Sequence, residues 1–241
     1  MTEGEEQLRQ RVADLVKLFD VDKRHEFKIF MMGIVNFISE HPSLIDNDDR
    51  VVHSFKFRLK DPDHLDKKVI RKIREGKDLN EGNFFSLVTD LAGVRILHLF
   101  QEDFGRIDSV IRKRVNDGDW WLGERPRAYT WDPEAASFFQ KFDLDVEEKS
   151  TAYTSVHYLV RPKQNSPICC EIQVRTLFEE IWGEVDHRLN YPIPSESMAC
   201  REQLRVLSKI TGAGSRLLDS LQRVHEAEKK DRQRGVVVIN G

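Results

Sequence analysis

The sequence predicts a single α/β core with helical extensions at both ends, and three observations carry that expectation. Helical apolar stripes fill the N- and C-terminal parts of the chain. Between them lie four short segments rich in β-branched and aromatic residues. Two carboxylates, Asp90 in VTDLAGVRIL and Glu171 in CCEIQVRT, sit among apolar neighbours of the kind that buried strands use. At 241 residues the chain has room for one large domain.

Leu8, Val12, Leu15, Val16 and Phe19 form one stripe at helical spacing. Phe27, Phe30, Met31, Ile34, Phe37 and Ile38 form a second after Asp20 and Asp22, which predicts helix over 5–40. HPSLIDNDDR is rich in turn formers and reads as a loop. VVHSFKFRLK alternates as a strand does, and Asp61 caps a helix that starts at Pro62 and runs to about Glu75. A short helical piece leads into the strand LAGVRILHLF. Residues 102–116 place Phe104, Ile107, Val110, Ile111 and Val115 on one helical face. Residues 117–150, with Trp120, Trp121 and Trp131, read as irregular. The strands SVHYLVRP and ICCEIQVRT follow, and then the helix LFEEIWGEVDHRLNY. It breaks at Pro192 and Pro194 and resumes over 196–230, with RGVVVING fraying or adding an edge strand. The expected divisions are 1–49, 50–192 and 193–241.

Charged residues make up 33% of the chain and the hydrophobic class 39%, which excludes a disordered chain. The formal net charge of -3 argues against a generic nucleic-acid coat while leaving room for a local basic cleft. No apolar run approaches the ~20 residues that span a bilayer, and MTEGEEQLRQ is the opposite of a signal peptide. A cytoplasmic protein without a membrane partner is expected. Cys169, Cys170 and Cys200 have no CxxC spacing, so neither a zinc site nor a disulfide framework is implied.

A carboxylate in an apolar strand is costly to ionise unless a cation or a hydrogen-bond network meets it. Asp90 and Glu171, about eighty positions apart but able to meet in one sheet, suggest a metal site. The plainer reading of either alone is a strand cap or a partner for Arg. Upstream of Asp90, Arg58 and Lys60 share a strand face, and Lys68, Arg71 and Lys72 lie at helical spacing on the next element. Such charge converging from two elements suits polyphosphate, although a solvated basic face is the simple alternative. Tyr153, Ser155 and His157 alternate on one face, where an aromatic ring stacks on a base and polar groups meet ribose or phosphate. Glu171, Gln173 and Arg175 alternate likewise. The helix that follows brings Trp182, Asp186, His187, Asn190 and Tyr191 within reach. No Walker A, GxGxxG, GxSxG or HExxH pattern is present.

Together these segments resemble the synthetase domain of the RelA/SpoT family of alarmone synthetases, over roughly residues 50–192. DLAGVRI is similar to the DxAGxR segment with its magnesium-binding Asp. EIQVRT followed by W182-G-E-V-D-H187-R-L-N-Y191 matches the W-x-E-x-x-H-x-x-x-Y pattern. AYTSVHY resembles the guanine-stacking G-Y-x-S-x-H loop, and FRLKDPDHLDKKVIRK resembles the R-x-K-x-x-x-S…K-x-x-R-K element that grips ATP phosphates.

The resemblance implies a nucleotidyltransferase-like mixed sheet of about five strands flanked by helices. It implies Mg²⁺-dependent transfer of the β,γ-pyrophosphate of ATP to the 3′-hydroxyl of GDP or GTP. Arg58, Lys60, Lys68, Arg71, Lys72 and Arg95 would hold ATP. Asp90 would bind the metal, and Glu171 would share it or take the proton from the attacking hydroxyl. Tyr153, Ser155, His157, Gln173, His187 and Asn190 would surround the acceptor. Three positions depart from the pattern: His64 stands where Ser is common, Ala152 where Gly is usual, and Pro192 directly follows Tyr191.

A short synthetase without a hydrolase domain is expected, assembled as a homo-oligomer. The rival readings are a toxin, paired with an antitoxin, that modifies the tRNA acceptor end, and a non-catalytic nucleotide-binding regulator. The tRNA reading would need a basic patch, for which Arg106, Arg112, Lys113, Arg114, Arg125 and Arg127 are the residues available.

Overall fold

The computed structural model describes residues 3–46, 49–190 and 195–239. Its helices are α1 (Glu3–Lys17), α2 (Arg24–Ser39), α3 (Pro42–Ile45), α4 (Pro62–Arg74), α5 (Phe84–Leu87), α6 (Phe104–Asn116), α7 (Pro133–Phe139), α8 (Leu177–Asn190) and α9 (Met198–Ile239). Its strands are β1 (Val52–Leu59), β2 (Ala92–His98), β3 (Trp121–Leu122), β4 (Arg127–Thr130), β5 (Asp145–Glu148), β6 (Ser155–Arg161) and β7 (Cys170–Thr176).

The strands form one seven-stranded mixed sheet in the order β1-β2-β7-β6-β4-β5, with β3 paired to β6. β2 and β7 run parallel at its centre, as do β4 and β5 at one side, and the remaining pairs are antiparallel. Three more strands are present than the four read along the sequence, and two more than the resemblance implied. The segment read as irregular supplies β3, β4, β5 and α7, each too short to display a period. At the other end, the RGVVVI segment is no edge strand, since α9 runs on to Ile239, and Asn240 and Gly241 lie outside the described residues.

Side chains alternate across the sheet and give its two faces opposite character. Val94, Ile96, Val156, Tyr158, Ile172 and Val174 point to the dry face and are buried. Phe27, Met31, Ile34 and Ile38 of α2 and Ile107 and Ile111 of α6 close that core. Between α1 and α2 the chain winds as a π-helix over Leu18–Lys23. Phe19 and Phe27 would lie about 80° apart on an ideal α-helix. The wider turns bring both rings into the core, with centroids 5.5 Å apart.

The opposite, wet face is polar, and α8 crosses part of it. α9 packs behind α8, where Trp182 Nε1 donates to the Leu204 carbonyl at 3.1 Å. Gly214 lets the two helices close, because a Cβ there would meet the Phe178 ring at 2.7 Å. Among the described residues no helix is long and apolar enough to cross a membrane.

Candidate active site

Residues paired across strands share a face, so the sheet register lays out the wet face as two rows. One runs Arg58–Gly93–Glu171 and the other Lys56–Arg95–Gln173–His157–Arg127. Together they pass from a basic edge through carboxylate and amide to imidazole and a second guanidinium. A cleft of ≈ 720 Å³ lies between this face and α8, lined by Arg58, Arg95, Tyr153, Glu171, His187 and Asn190 among others. Gly93 leaves the cleft floor open between Arg58 and Glu171.

Asp90 lies in the turn directly before β2 rather than within the strand. Lys60 Nζ meets its Oδ2 at 3.1 Å and Lys68 Nζ its Oδ1 at 2.6 Å. Lys60 is aimed by its backbone, which donates to the Leu91 carbonyl at 2.8 Å. Lys68 is aimed by α4: Asp61 caps the helix by accepting from the Asp63 and His64 amides, and Leu65 and Val69 are buried. Burial pushes the Asp90 carboxyl up, but Lys68 and Lys60 together hold it below its ordinary value.

The other donor-side residues do not all converge. Arg58 is exposed and makes no hydrogen bond or ion pair among the described residues. Lys72 lies one turn beyond Lys68. Arg71 pairs with Glu75 at 3.6 Å and lines a separate shallow depression with Lys67 and Arg74.

Glu171 is clasped from both sides. His157 Nδ1 lies 2.9 Å from its Oε1, and Gln173 Nε2 donates to its Oε2 at 2.8 Å. Burial raises this carboxyl and Asp90 adds to the rise, yet the bonds from His157 and Gln173 leave it below its usual range. The Tyr153 hydroxyl reaches His157 Nε2 at 2.9 Å and Arg175 at 3.1 Å, and the Arg175 guanidinium lies 5.1 Å from the ring centre. Tyr129 stands edge-on to His157, with centroids 4.9 Å apart. Ser155 is fully buried, its hydroxyl directed at the Val174 carbonyl 3.5 Å away, and does not open into the cleft. His187 is exposed on the cleft wall. Asn190 bonds Asp186 at 2.8 Å and the Ser195 amide at 3.0 Å. Tyr191, Pro192, Ile193 and Pro194 lie outside the described residues.

Several cleft residues escaped the sequence reading. Glu180 and Glu184 of α8 reach down to the basic row. Glu180 meets Arg95 at 2.7 Å, Lys56 at 2.8 Å and Arg175 at 3.3 Å, while Glu184 meets Lys56 at 2.9 Å and Arg95 at 3.2 Å. The bond from Lys56 depresses the Glu184 carboxyl to about 2. Gly183 allows the helix to sit this low, since a Cβ there would meet Arg175 Nη1 at 2.8 Å. Lys56 stood two residues before Arg58 and was detectable by the same alternation. Glu184 was visible only as the Glu of the W-x-E-x-x-H pattern and Glu180 gave no signal, because their reach to the basic row depends on how a helix docks.

Asp90 and Glu171 are hard oxygen donors, close enough that the Asp90 charge pushes the Glu171 carboxyl up. No group of three or more His, Cys, Asp or Glu gathers as a metal cage among the described residues. Such a pair suits a hard divalent cation that takes its other oxygens from ligand phosphates and water.

The residues available for an RNA-binding patch are all engaged. Arg106 pairs with Asp49 at 2.7 Å, Arg112 with Asp108 at 2.9 Å, and Lys113 with Asp117 at 2.8 Å. Arg114 pairs with Asp119, Arg125 with Asp143 at 2.7 Å, and Arg127 bonds the Tyr129 hydroxyl at 3.2 Å.

Fold and cleft define a mixed-sheet α/β protein whose open face carries a charged groove suited to a polyanionic ligand. Residues 57–196 match the family model described as the region found in RelA / SpoT proteins. The chain belongs to the RelA/SpoT family. Its fold is similar to that of small alarmone synthetase 1 from Bacillus subtilis, at 18% identity and a TM-score of 0.58, covering 89% of this chain and 97% of that one. The same synthetase bound to its product pppGpp gives 19% identity and a TM-score of 0.58, over 88% and 96%. A GTP pyrophosphokinase family protein from Streptococcus pneumoniae gives 20% and 0.58, over 94% and 97%. No curated protein matches the sequence.

Proposed function

We propose that the chain is an alarmone synthetase that transfers the β,γ-pyrophosphate of ATP to the 3′-hydroxyl of GDP or GTP. One observation carries the reading: Arg58, the Lys60–Asp90–Lys68 cluster and Glu171 converge on one open floor, in a chain of the RelA/SpoT family. The similar Bacillus subtilis synthetase has been solved with pppGpp and with AMPCPP, which supports nucleotides at both ends of this cleft.

On this reading the 3′-oxygen of the acceptor bonds to the β-phosphorus while the bond to the α,β-bridging oxygen breaks, releasing AMP. Such a transfer relies on positioning and charge neutralisation. Arg58 is free to take phosphate, and Lys60 and Lys68 can divide their charge between Asp90 and the donor. Asp90 and Glu171 would hold Mg²⁺, which neutralises phosphate charge when bound. Glu171, accepting two hydrogen bonds and held below its usual range, would take the proton of a hydroxyl already acidified nearby. Tyr153, His157, His187 and Asn190 line the acceptor end. The protein is expected in the cytoplasm and as a homo-oligomer, with the exposed apolar stripe of α9 as the contact.

The test is label transfer from γ-labelled ATP with Mg²⁺ to GDP, GTP, ATP or deacylated tRNA, beside Asp90→Ala. Label on GDP or GTP, reduced at least about a thousandfold in the variant, supports the reading. Label on tRNA alone would replace it with the toxin reading, against which the engaged basic residues stand. No transfer at all would favour a nucleotide-binding regulator.

A further inference from the structure

The Tyr153 hydroxyl has partners that base stacking does not require. It lies 3.1 Å from Arg175 Nη2 and 2.9 Å from His157 Nε2. A guanidinium has donors only, so the phenol oxygen accepts from Arg175. Ser155 is a further hydrogen-bond partner of the phenol, and with the Ser155 hydroxyl also donating to it the phenol proton turns to His157 Nε2. On the far side of the imidazole, Nδ1 is 2.9 Å from Glu171 Oε1. A carboxylate only accepts, so Nδ1 carries the ring proton. The neighbouring amide obeys the same logic. Gln173 Oε1 accepts from Arg175 at 2.9 Å and from Arg95 at 3.3 Å, which leaves its nitrogen to donate to Glu171 at 2.8 Å. With that arrangement each proton in the chain Arg175–Tyr153–His157–Glu171 has one place.

We infer that Tyr153 is a positioning residue for Glu171: its hydroxyl locks the His157 ring with Nδ1–H facing the carboxylate that serves the acceptor hydroxyl. The inference rests on the role given to Glu171 above and adds a second task to a residue otherwise read as a stacking surface. Without the hydroxyl, no other group among the described residues hydrogen-bonds Nε2, and the ring is free to flip or change tautomer. A tautomer change turns a lone pair towards Glu171 and a flip turns a ring carbon there; either removes one of its two donors. The aromatic surface offered to a base is unchanged.

The test separates ring from hydroxyl. Tyr153→Phe is expected to keep KM for GDP within about twofold and to lower kcat by about tenfold, the scale on which lost orienting partners act. His157→Asn, whose amide nitrogen stands where Nδ1 stood, should retain more activity than His157→Gln. Adding Tyr153→Phe to His157→Asn should cost nothing further, because the two act through one bond. A Tyr153→Phe enzyme with unchanged kcat, a change confined to KM, or an additive double variant would each overturn the inference. Imidazole ¹⁵N shifts provide a readout that needs no turnover, with His157 assigned by its loss in His157→Asn. Nδ1–H is expected in the parent protein and a tautomer mixture in Tyr153→Phe. Nε2–H in the parent overturns the inference even if the protein proves inactive on guanine nucleotides, an outcome that would separately remove the proposed function.

Discussion

Arg58 and Gly93 sit side by side on the wet face and make opposite contributions, one a charge and the other a space. Arg58 is exposed and holds nothing else in place, so Arg58→Ala should leave stability within about 0.5 kcal/mol while lowering pyrophosphate transfer at least about a hundredfold. A thermal melt beside the labelled-ATP assay checks both halves. At Gly93 an added Cβ would meet nothing nearer than the Glu171 carbonyl at 3.8 Å, so the strand accepts a side chain there. Gly93→Val should therefore fold, with a stability change of about 1 kcal/mol or less, and fill the floor between Arg58 and Glu171. Loss of ATP-analogue binding in calorimetry with an unchanged melt is the expected result. Unchanged binding would show that the donor lies elsewhere. The sequence exposed these residues unevenly. Carboxylates flanked by apolar residues are conspicuous because burying them has a cost, which is how Asp90 and Glu171 stood out. Ser155 shared their alternation yet turned out buried, since alternation assigns a face and not a depth.

At the scale of elements, the junction from β7 into α8 aims the cleft wall. Thr176 Oγ1 accepts from the Glu179 amide at 3.3 Å, and the Glu179 carboxyl accepts from the Thr176 amide at 2.6 Å, a reciprocal cap at the helix start. Glu179 is partly accessible along its length, but its carboxyl is enclosed beneath α9 beside a small cavity. Burial lifts it from 4.5 to about 7 against the pull of the Thr176 bonds. The fold thus favours the protonated acid: the stabilising contribution is complete below 4.5 and is lost as pH rises through about 7. Glu179→Gln, neutral throughout, should melt higher than the parent protein at about pH 8, by on the order of 2 kcal/mol, and match it near pH 4.5. Equal melting curves at both pH values would sink this account. The short strands β3, β4 and β5 could not be read from sequence for a related reason. Four residues or fewer carry no period, and DVEE of β5 is polar because it forms a sheet edge.

At the scale of the molecule, the helices of the N-terminal extension pack on the dry face of the sheet. Phe27 of α2 meets Phe85 at a centroid distance of 5.6 Å. Their apolar stripes were legible; which face of the sheet they cover was not, because strand order is absent from a one-dimensional pattern. α9 shows the reverse division. Its buried side is small and polar, with Ser208, Thr211, Ser215 and Asp219, while Val206, Ile210, Leu217, Leu221 and Val224 are each more than half exposed. Spacings of three, four and seven place these in one seam, suited to another helix. Light scattering should give a multiple of the 28.2 kDa chain, falling to one chain in Ile210→Lys/Leu217→Lys with activity assayed alongside. A parent protein already at one chain would refute the seam.

The place of β7 has a consequence for how the protein is born. It is the last strand in the chain, yet it lies at the sheet's centre, between β2 and β6. Until it emerges from the ribosome, the growing chain can hold only a β1–β2 pair and a separate group of β6 with β3, β4 and β5, each with an unpaired edge. A parallel partner eighty residues upstream makes its insertion a slow, non-local step. Glu171 arrives on that same strand, so closing the sheet and completing the cleft are one event. A chain cut short of Cys170 would carry two sticky edges and no chemistry.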